Sequence, residues 1–291
     1  MESKPPELVD LLWNDVIFQY IFPLLSMKDL YQLRATNKSY KELVEEYLFQ
    51  LKSLHLHSEQ LYLQKFGLDA FQVLSSCCSN LRKVNFTACS WLTDEVLISF
   101  FTQNKHITDV NLSLCINLTS KCLQPLIVHA KPLQVLKLNN CTWFTSGCLE
   151  ALTLHQPYLE SIDLSNTSIG DQNAMNMFLK KSKRLKKIHV ENVQIITDTS
   201  LFYIGQHCPL LTNINIRQNF HVTEKGIRFL LSSCKKLDMV YLRLCPSLSY
   251  NFIREISKQV RVDKCNVTNE FFTIVKFPTR QYNLLPADDI L

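Results

Sequence analysis

Cysteine and histidine are the side chains of this sequence that could carry chemistry, because both bind metals and cysteine also forms disulfides or acts as a nucleophile. The chain has 11 cysteines and 8 histidines in 291 residues. The pair His55 and His57 has no third ligand at a recognisable spacing, and the sequence contains no C-x-x-C motif. We therefore expect no metal site.

The cysteines recur at regular positions instead of forming catalytic or disulfide motifs. Three sets are present: Cys89, Cys115, Cys141 and Cys245; Cys122 and Cys148; and Cys78, Cys208 and Cys234. Their odd total, together with a polar start that lacks the features of a secretory signal, argues against disulfides. The 5 glycines form no phosphate-binding loop and no nucleophile motif. The sequence predicts structural cysteines in a non-catalytic chain without a cofactor.

No apolar run approaches the roughly 20 residues that a membrane span requires. We therefore expect no membrane partner and a location in the cytosol or nucleus. The net charge of +5 is mild, and the basic run from Lys180 to Lys187 has no interleaved aromatic residues. Cations near a helix end complement the helix dipole. We therefore interpret the run as cations at a helix end, and we expect no nucleic-acid partner.

The elements that carry the cysteines form a repeat of 26 residues. Each block opens with an apolar residue, namely Leu81, Ile107, Leu133, Leu159, Leu185, Leu211 and Leu237. Apolar residues three and five positions later alternate with polar ones, which predicts a short strand. Twelve positions after each opening stands a helix-capping residue: Thr93, Thr119, Thr145, Asp171, Thr197, Thr223 or Ser249. Each block is predicted to form a strand, a turn and a helix.

Such units bury their apolar faces only by stacking on one another. The pattern resembles the cysteine-containing leucine-rich repeats, and the predicted fold class is an α/β leucine-rich-repeat solenoid. We assign seven repeats to residues 81–262, a degenerate N-terminal repeat to 51–80, and a C-terminal cap and tail to 263–291. Gly170 replaces the usual Leu or Ile, which predicts a locally altered turn in the fourth repeat. An eighth block would open at Asp263, an unsuitable residue, so the repeat is expected to end there.

Residues 8–50 do not follow the repeat and predict three short helices. The first should run from about Asp15 to Phe22 and stop at Pro23, because proline cannot continue the helical hydrogen bonding. A second should follow the capping sequence from Ser26 to Asp29. A third should begin near Asn37. This core is too small for an independent domain and should lean on the repeats or on a partner.

These helices carry a recognisable motif. The run from Leu11 to Val16, followed by Ile21, Leu25, Ser26, Asp29, Leu30, Leu33 and the stretch from Asn37 to Leu43, resembles an F-box. The F-box usually begins with Leu-Pro, and Leu12 stands at the proline position. An F-box before cysteine-containing repeats resembles the F-box/leucine-rich-repeat family.

That resemblance implies a small three-helix F-box domain and a substrate-recognition subunit of a Skp/cullin/F-box ubiquitin ligase. Its partners would be the Skp adaptor, the cullin and a protein substrate. The residues expected to bind the adaptor are Leu11, Trp13, Val16, Ile21, Leu25, Leu30, Leu33, Tyr40 and Leu43. Two alternatives remain open: the helices only cap the solenoid, or the chain is a leucine-rich-repeat interaction scaffold without a ligase.

The polar side chains that alternate with the buried strand residues should line the concave face. The last three repeats are richer in residue types favoured at protein interfaces. We predict substrate binding at His189, Glu191, Arg217, Met239, Tyr241 and Arg243. Seven strands about 4.8 Å apart make a groove of roughly 30 Å, which suits a peptide or a protein surface.

Overall fold

The computed structural model of the protein describes residues 8–56, 67–128 and 132–263. The N-terminal part begins with a 3-10 turn at Leu8–Asp10 and a π-helix at Trp13–Ile21. The π-helix begins two residues before the predicted start at Asp15. Pro23 lies just beyond it, inside the 3-10 turn Phe22–Leu24, near the start of that turn where no backbone N–H is needed.

Two α-helices follow, and both begin where the sequence predicts. Helix α1 spans Met27–Arg34, and Ser26 and Asp29 cap it reciprocally: Asp29 N donates to Ser26 Oγ over 3.2 Å, and Ser26 N donates to Asp29 Oδ2 over 3.0 Å. Helix α2 spans Lys38–Gln50 and is capped by the side chain of Asn37, which accepts from Tyr40 N.

The remaining chain alternates strands with helices. The strands are β1 Ser53–His55, β2 Lys83–Asn85, β3 Asp109–Asn111, β4 Val135–Lys137, β5 Ser161–Asp163, β6 Lys187–His189, β7 Asn213–Asn215, β8 Met239–Tyr241 and β9 Arg261–Val262. The helices are α3 Gly67–Cys77, α4 Asp94–Gln103, α5 Gln124–Val128, α6 Ser146–His155, α7 Gln172–Lys181, α8 Asp198–His207, α9 Glu224–Ser233 and α10 Tyr250–Ile256. A 3-10 turn at Ser120–Leu123 precedes α5. The strands form one parallel sheet in the order β1 to β9.

This arrangement is a leucine-rich-repeat solenoid, which confirms the predicted fold class. From the second to the eighth strand the pairing advances by 26 residues each time, as in Val84 beside Val110. The central residue of each of these strands is buried, and a helical turn begins directly after each of the seven predicted capping residues. One continuous hydrophobic core joins the N-terminal helices to the repeats, from Ile17 to Val260.

The second and fourth repeats deviate locally. In the fourth repeat, Ile169 is buried in place of the usual residue one position later, and the backbone N–H groups of Gly170 and Asp171 donate to Ser146 Oγ. In the second repeat, α5 has only 5 residues. Gln156 of the next repeat donates to the carbonyl oxygens of Leu126 and Ile127 over 3.0 and 3.1 Å, and thereby ties α5 to the following repeat.

The regular repeat ends before Asp263, as the sequence predicts, but the sheet gains one further short strand. β9 pairs Val262 with Val240, an advance of only 22 residues. Helix α10 is three residues shorter than α9, and the loop from α10 to β9 is one residue shorter than the loop from α9 to β8; together they account for the four missing residues. Asp263 therefore follows directly in the strand register, beside Tyr241. The proposed capping residues Phe271, Phe272, Ile274 and Val275 lie outside the described residues.

The cysteines of the described residues are free thiols, and all but Cys77 are buried. Those of the turn after the strand donate to the preceding repeat, as in Cys115 Sγ to Phe86 O over 3.0 Å and Cys141 Sγ to Leu112 O over 3.1 Å. Burial raises the pKa of Cys115 to about 11, so this thiol stays protonated and inert at neutral pH. In the sixth repeat, Asn219 makes the corresponding bond through its amide, to Val190 O over 2.9 Å.

Candidate protein-interaction surfaces

The N-terminal helices place two of the predicted adaptor-binding residues in the core. Leu30 is 1% exposed and Leu43 is 0% exposed. Neither side chain reaches the surface in this conformation, so neither is available here for the predicted contact with an adaptor. Both instead hold α1 and α2 together within the continuous core.

The other predicted adaptor-binding residues reach the surface to different extents. Leu11 is 40% exposed. The remainder are half-buried: Trp13, Ile21, Leu25, Leu33 and Tyr40, which pack against the core, and Val16. The indole nitrogen of Trp13 donates to Val9 O over 3.1 Å, so its position is fixed by the preceding turn.

Four apolar side chains on the same helices are more exposed than most of the predicted residues. Leu12 is 67% exposed, Tyr20 68%, Leu24 84% and Phe49 50%. One signal in the sequence could have identified Tyr20 and Leu24. Ile17, Phe18 and Phe22 already fill the buried face of this segment, so further apolar residues between and beside them must point elsewhere. We name Leu12, Tyr20 and Leu24 the outer apolar surface.

On the concave face, four of the six predicted substrate-binding residues lie close together. The ring centroids of His189 and Tyr241 are 6.4 Å apart, and the guanidinium carbon of Arg217 lies 4.9 Å from the centroid of Tyr241. Arg217 and Arg243 both approach Asp263, at 2.8 and 3.7 Å. Cation–π contact and this shared carboxylate fix the arginines on the strand face.

Asp263 is the central residue of this cluster, and the sequence reasoning missed it. Its carboxylate is 5% exposed, accepts from Arg217 Nε over 2.8 Å and accepts from Leu242 N over 2.7 Å. The regular spacing of 26 residues could not indicate that Asp263 lies beside Tyr241, because the advance from β8 to β9 is 22 residues. The ion pair of Asp263 with Arg217 makes the C-terminal end of the groove polar, and the carboxylate of Asp263 has hydrogen-bond partners on both oxygens.

The two remaining predicted residues flank this cluster. Glu191 accepts from the amides of Asn215 and Gln218, each over 3.0 Å. Met239 lies half-buried on β8, on the same strand face as Tyr241. All six residues therefore belong to one continuous face over β6 to β8, with Glu191 held by its amide partners.

Burial shapes the charges in the middle of this face. Desolvation lowers the pKa of His189, opposed by Asp163 and Glu191 and reinforced by Lys137 and Lys187. The pKa of Lys137 is also lowered, mainly by desolvation. His189 is therefore neutral at physiological pH, and it offers an aromatic surface and a hydrogen-bonding nitrogen instead of a positive charge.

Neither a metal centre nor a membrane-spanning helix is found in the part of the chain that the structure describes. No three His, Cys, Asp or Glu side chains of residues 8–56, 67–128 and 132–263 are grouped to hold a metal ion. His55 lies in β1, whereas His57 is outside the described residues. Within the same ranges, no helix has the length and apolar character needed to cross a bilayer.

Comparison with known proteins supports the fold. No family model matches the sequence. A chain in the crystal structure of the yeast Rad7–Elc1 complex is 15% identical, with a TM-score of 0.54 over 77% of this chain and 75% of that one. Weaker similarities are found to a chain of the TLR13–ssRNA13 complex, 16% identical with a TM-score of 0.44 over 75% and 33%, and to a Bacteroides fragilis protein, 14% identical with a TM-score of 0.47 over 82% and 72%. The similarity to the yeast chain thus agrees with the leucine-rich-repeat fold described above.

Proposed function

We propose that this protein is the substrate-recognition subunit of a Skp/cullin/F-box ubiquitin ligase. The N-terminal helices bind the Skp adaptor, which connects them to the cullin, and the concave face of the repeats binds a protein substrate. The subunit carries no active-site chemistry of its own. It acts by holding the substrate next to the catalytic assembly, which raises the effective concentration of the reacting groups.

The outer apolar surface is the observation that carries this proposal. A capping domain needs only one apolar face, and here that face is filled: Ile17 and Leu48 are buried in the core, and Asn80, the last residue of the degenerate repeat, donates to Phe49 O over 3.0 Å. Leu24, at 84% exposed, contributes nothing to capping. Three large apolar side chains left exposed within one short N-terminal segment favour contact with a partner.

Two further observations support a protein-binding role. The concave face over β6 to β8 groups arginine, tyrosine, histidine and methionine, which are residue types enriched at interfaces. The yeast chain of similar fold comes from a complex of two proteins, Rad7 and Elc1. By analogy, this repeat protein works together with a second subunit.

Affinity isolation of the tagged full chain from cell extract tests the adaptor-binding proposal. We expect the wild type to retain the Skp adaptor and the cullin, and Leu24→Asp to lose both, because a charge would be placed inside the contact. Leu154→Asp is the matched control, since Leu154 is 77% exposed on α6, far along the chain from the helices concerned. Absence of the adaptor from the wild type, or its full retention by Leu24→Asp, would contradict the proposal.

The burial of Leu30 and Leu43 favours a second candidate function. If the N-terminal helices serve only as a cap, the chain is a leucine-rich-repeat interaction scaffold without a ligase. The same experiment separates the two candidates. A scaffold would retain binding proteins through the concave face and would show neither the Skp adaptor nor the cullin in any variant.

A further inference from the structure

Basic side chains line one edge of the solenoid, where each helix connects to the following strand. We define the basic rim as Arg82, Lys105, Lys183, Arg184, Lys235 and Lys236, all of which are exposed. They precede strands β2, β3, β6 and β8. Because all the strands are parallel, their amino ends lie along the same edge of the sheet. Residues up to 154 positions apart in sequence are thereby placed on one edge.

The charge of the basic rim is not neutralised from within the described residues. Two carboxylates occur at the corresponding positions, and both are already occupied: Glu160 pairs with Lys186 over 2.6 Å, and Asp238 pairs with Arg261. No salt bridge joins any of the six rim residues to a carboxylate in residues 8–56, 67–128 or 132–263. A row of like charges creates a positive potential that attracts anions.

Helix dipoles explain only part of this charge. Lys180 and Lys181 lie in the last turn of α7, where a cation is favourable. Lys183 and Arg184 lie beyond that helix, and Lys235 and Lys236 lie beyond α9, which ends at Ser233. The dipole effect falls off within the last turn, so these four cations need another explanation.

A shallow hollow lies within the basic rim. It has a volume of about 270 Å³, and its lining includes Gln134, Tyr158, Glu160 and Arg184. The guanidinium carbon of Arg184 is 4.9 Å from the ring centroid of Tyr158, which orients this cation at the hollow. An acidic side chain fits here, because its carboxylate can accept from Arg184, and the carboxylate of Glu160 in the same lining is already paired with Lys186.

We propose that the basic rim binds an extended acidic segment of a partner protein. Neighbouring strands are about 4.8 Å apart, so the rim residues before β6 and β8 are separated by roughly 10 Å. An extended polypeptide in the polyproline II conformation has three residues per turn and advances about 3.1 Å per residue, so every third side chain lies on the same face and meets this interval. The segment that fits carries Asp or Glu at every third position and runs along the stack of repeats.

The rim favours an acidic polypeptide over a nucleic acid. Proteins that bind single strands alternate basic residues with aromatic faces on which bases stack. In the basic rim and its hollow, among the described residues, the available aromatic ring is Tyr158, and Arg184 already packs on it. This surface is separate from the concave strand face and from the outer apolar surface, so it does not depend on the ligase proposal.

Fluorescence anisotropy with a labelled 15-residue peptide, Asp at every third position and Ser and Gly between, tests the inference on the full chain. We expect saturable binding at low salt, and loss of about tenfold or more in affinity for Lys183→Glu/Lys235→Glu. The matched control is Lys121→Glu/Lys225→Glu, which changes the net charge equally on the opposite edge and should weaken binding by less than about threefold.

Three outcomes would overturn the inference. The first is the absence of binding by the wild type, and the second is an equal loss in both charge-reversal variants, which would reduce the effect to net charge. The third is tighter binding of a single-stranded RNA of equal charge, which would assign the rim to nucleic acid. Circular dichroism of both variants shows whether they are folded; exposed lysines without ion pairs among the described residues should tolerate the change.

Discussion

Replacing Arg217 with alanine should destabilise the C-terminal repeats. The carboxylate of Asp263 is 5% exposed and its Oδ2 accepts from Arg217 Nε over 2.8 Å. After the substitution, Arg243 Nε still approaches Oδ2, but at 3.7 Å, which is too long for a hydrogen bond. The carboxylate would keep Leu242 N, at 2.7 Å from Oδ1.

The expected loss is about 2 kcal/mol in the free energy of unfolding. A hydrogen bond between charged groups contributes about 1.5–3 kcal/mol, and the cation–π contact with Tyr241 adds about 0.5–1 kcal/mol at a partly exposed site. The lower part of that range applies because the Arg217 side chain is 27% exposed and can be screened by water.

Urea unfolding followed by circular dichroism measures this loss, provided that the transition is cooperative. A double-mutant cycle with Asp263→Asn should give a coupling energy of about 1 kcal/mol or more, because the two residues share one bond. Arg82→Ala is the control; Arg82 is exposed on the basic rim and should change stability by less than about 0.5 kcal/mol. An Arg217→Ala variant as stable as this control would refute the reasoning.

The same variants also help to interpret substrate binding. If Arg217→Ala no longer binds a substrate, the cause could be the broken Arg217–Asp263 ion pair instead of a lost contact between Arg217 and the substrate. Asp263→Asn weakens the same pair and keeps Arg217 in place. If substrate binding survives Asp263→Asn and is lost in Arg217→Ala, then Arg217 contacts the substrate directly.

Asn219→Ala should lower the free energy of unfolding by about 2–4 kcal/mol in urea titrations, because its buried amide bonds two backbone groups of the preceding repeat; a loss below about 1 kcal/mol would contradict this. Gly226→Ala should lower Tm, because its methyl carbon would lie 2.8 Å from Cγ of Asp198, whereas Gly147→Ala, with open space, should not. His189→Gln should reduce the loss of stability that the wild type shows between pH 7.5 and 5.5. Burial lowers the pKa of His189 in the folded protein, so the unfolded chain takes up the proton first as the pH falls. The free energy of unfolding of the wild type therefore decreases below about pH 6.5. Equal pH dependence in both proteins would exclude that cause.

The regular part of the fold could be predicted because its determinants are local. A capping side chain such as Thr223 bonds N–H groups within its own helix, and alternation over three residues decides which face of a strand is buried. Both signals recur at fixed spacing, so each repeat strengthens the assignment of the others. Uniform stacking then determines the order of strands.

The rest depends on contacts between distant residues. To place Asp263 beside Tyr241, one must know that α10 is shorter than α9, and the composition of that segment does not indicate it. The burial of Leu30 and Leu43 depends on how α1 and α2 pack, and either face of a short helix can turn inward. The basic rim combines residues from several repeats; the sequence shows the run from Lys180 to Lys187, but not that Arg82, Lys105, Lys235 and Lys236 lie along the same edge of the sheet.

The short helix α5 has a consequence for the order in which the chain acquires its structure during synthesis. The carbonyl groups of Leu126 and Ile127 are bonded by Gln156, which follows Ile127 by 29 residues. A ribosome adds about 5–20 residues per second, so Gln156 is added about 1.5–6 s later. During that interval the second repeat keeps an unfinished edge, and a nascent chain that stalls before Gln156 would present that edge to chaperones.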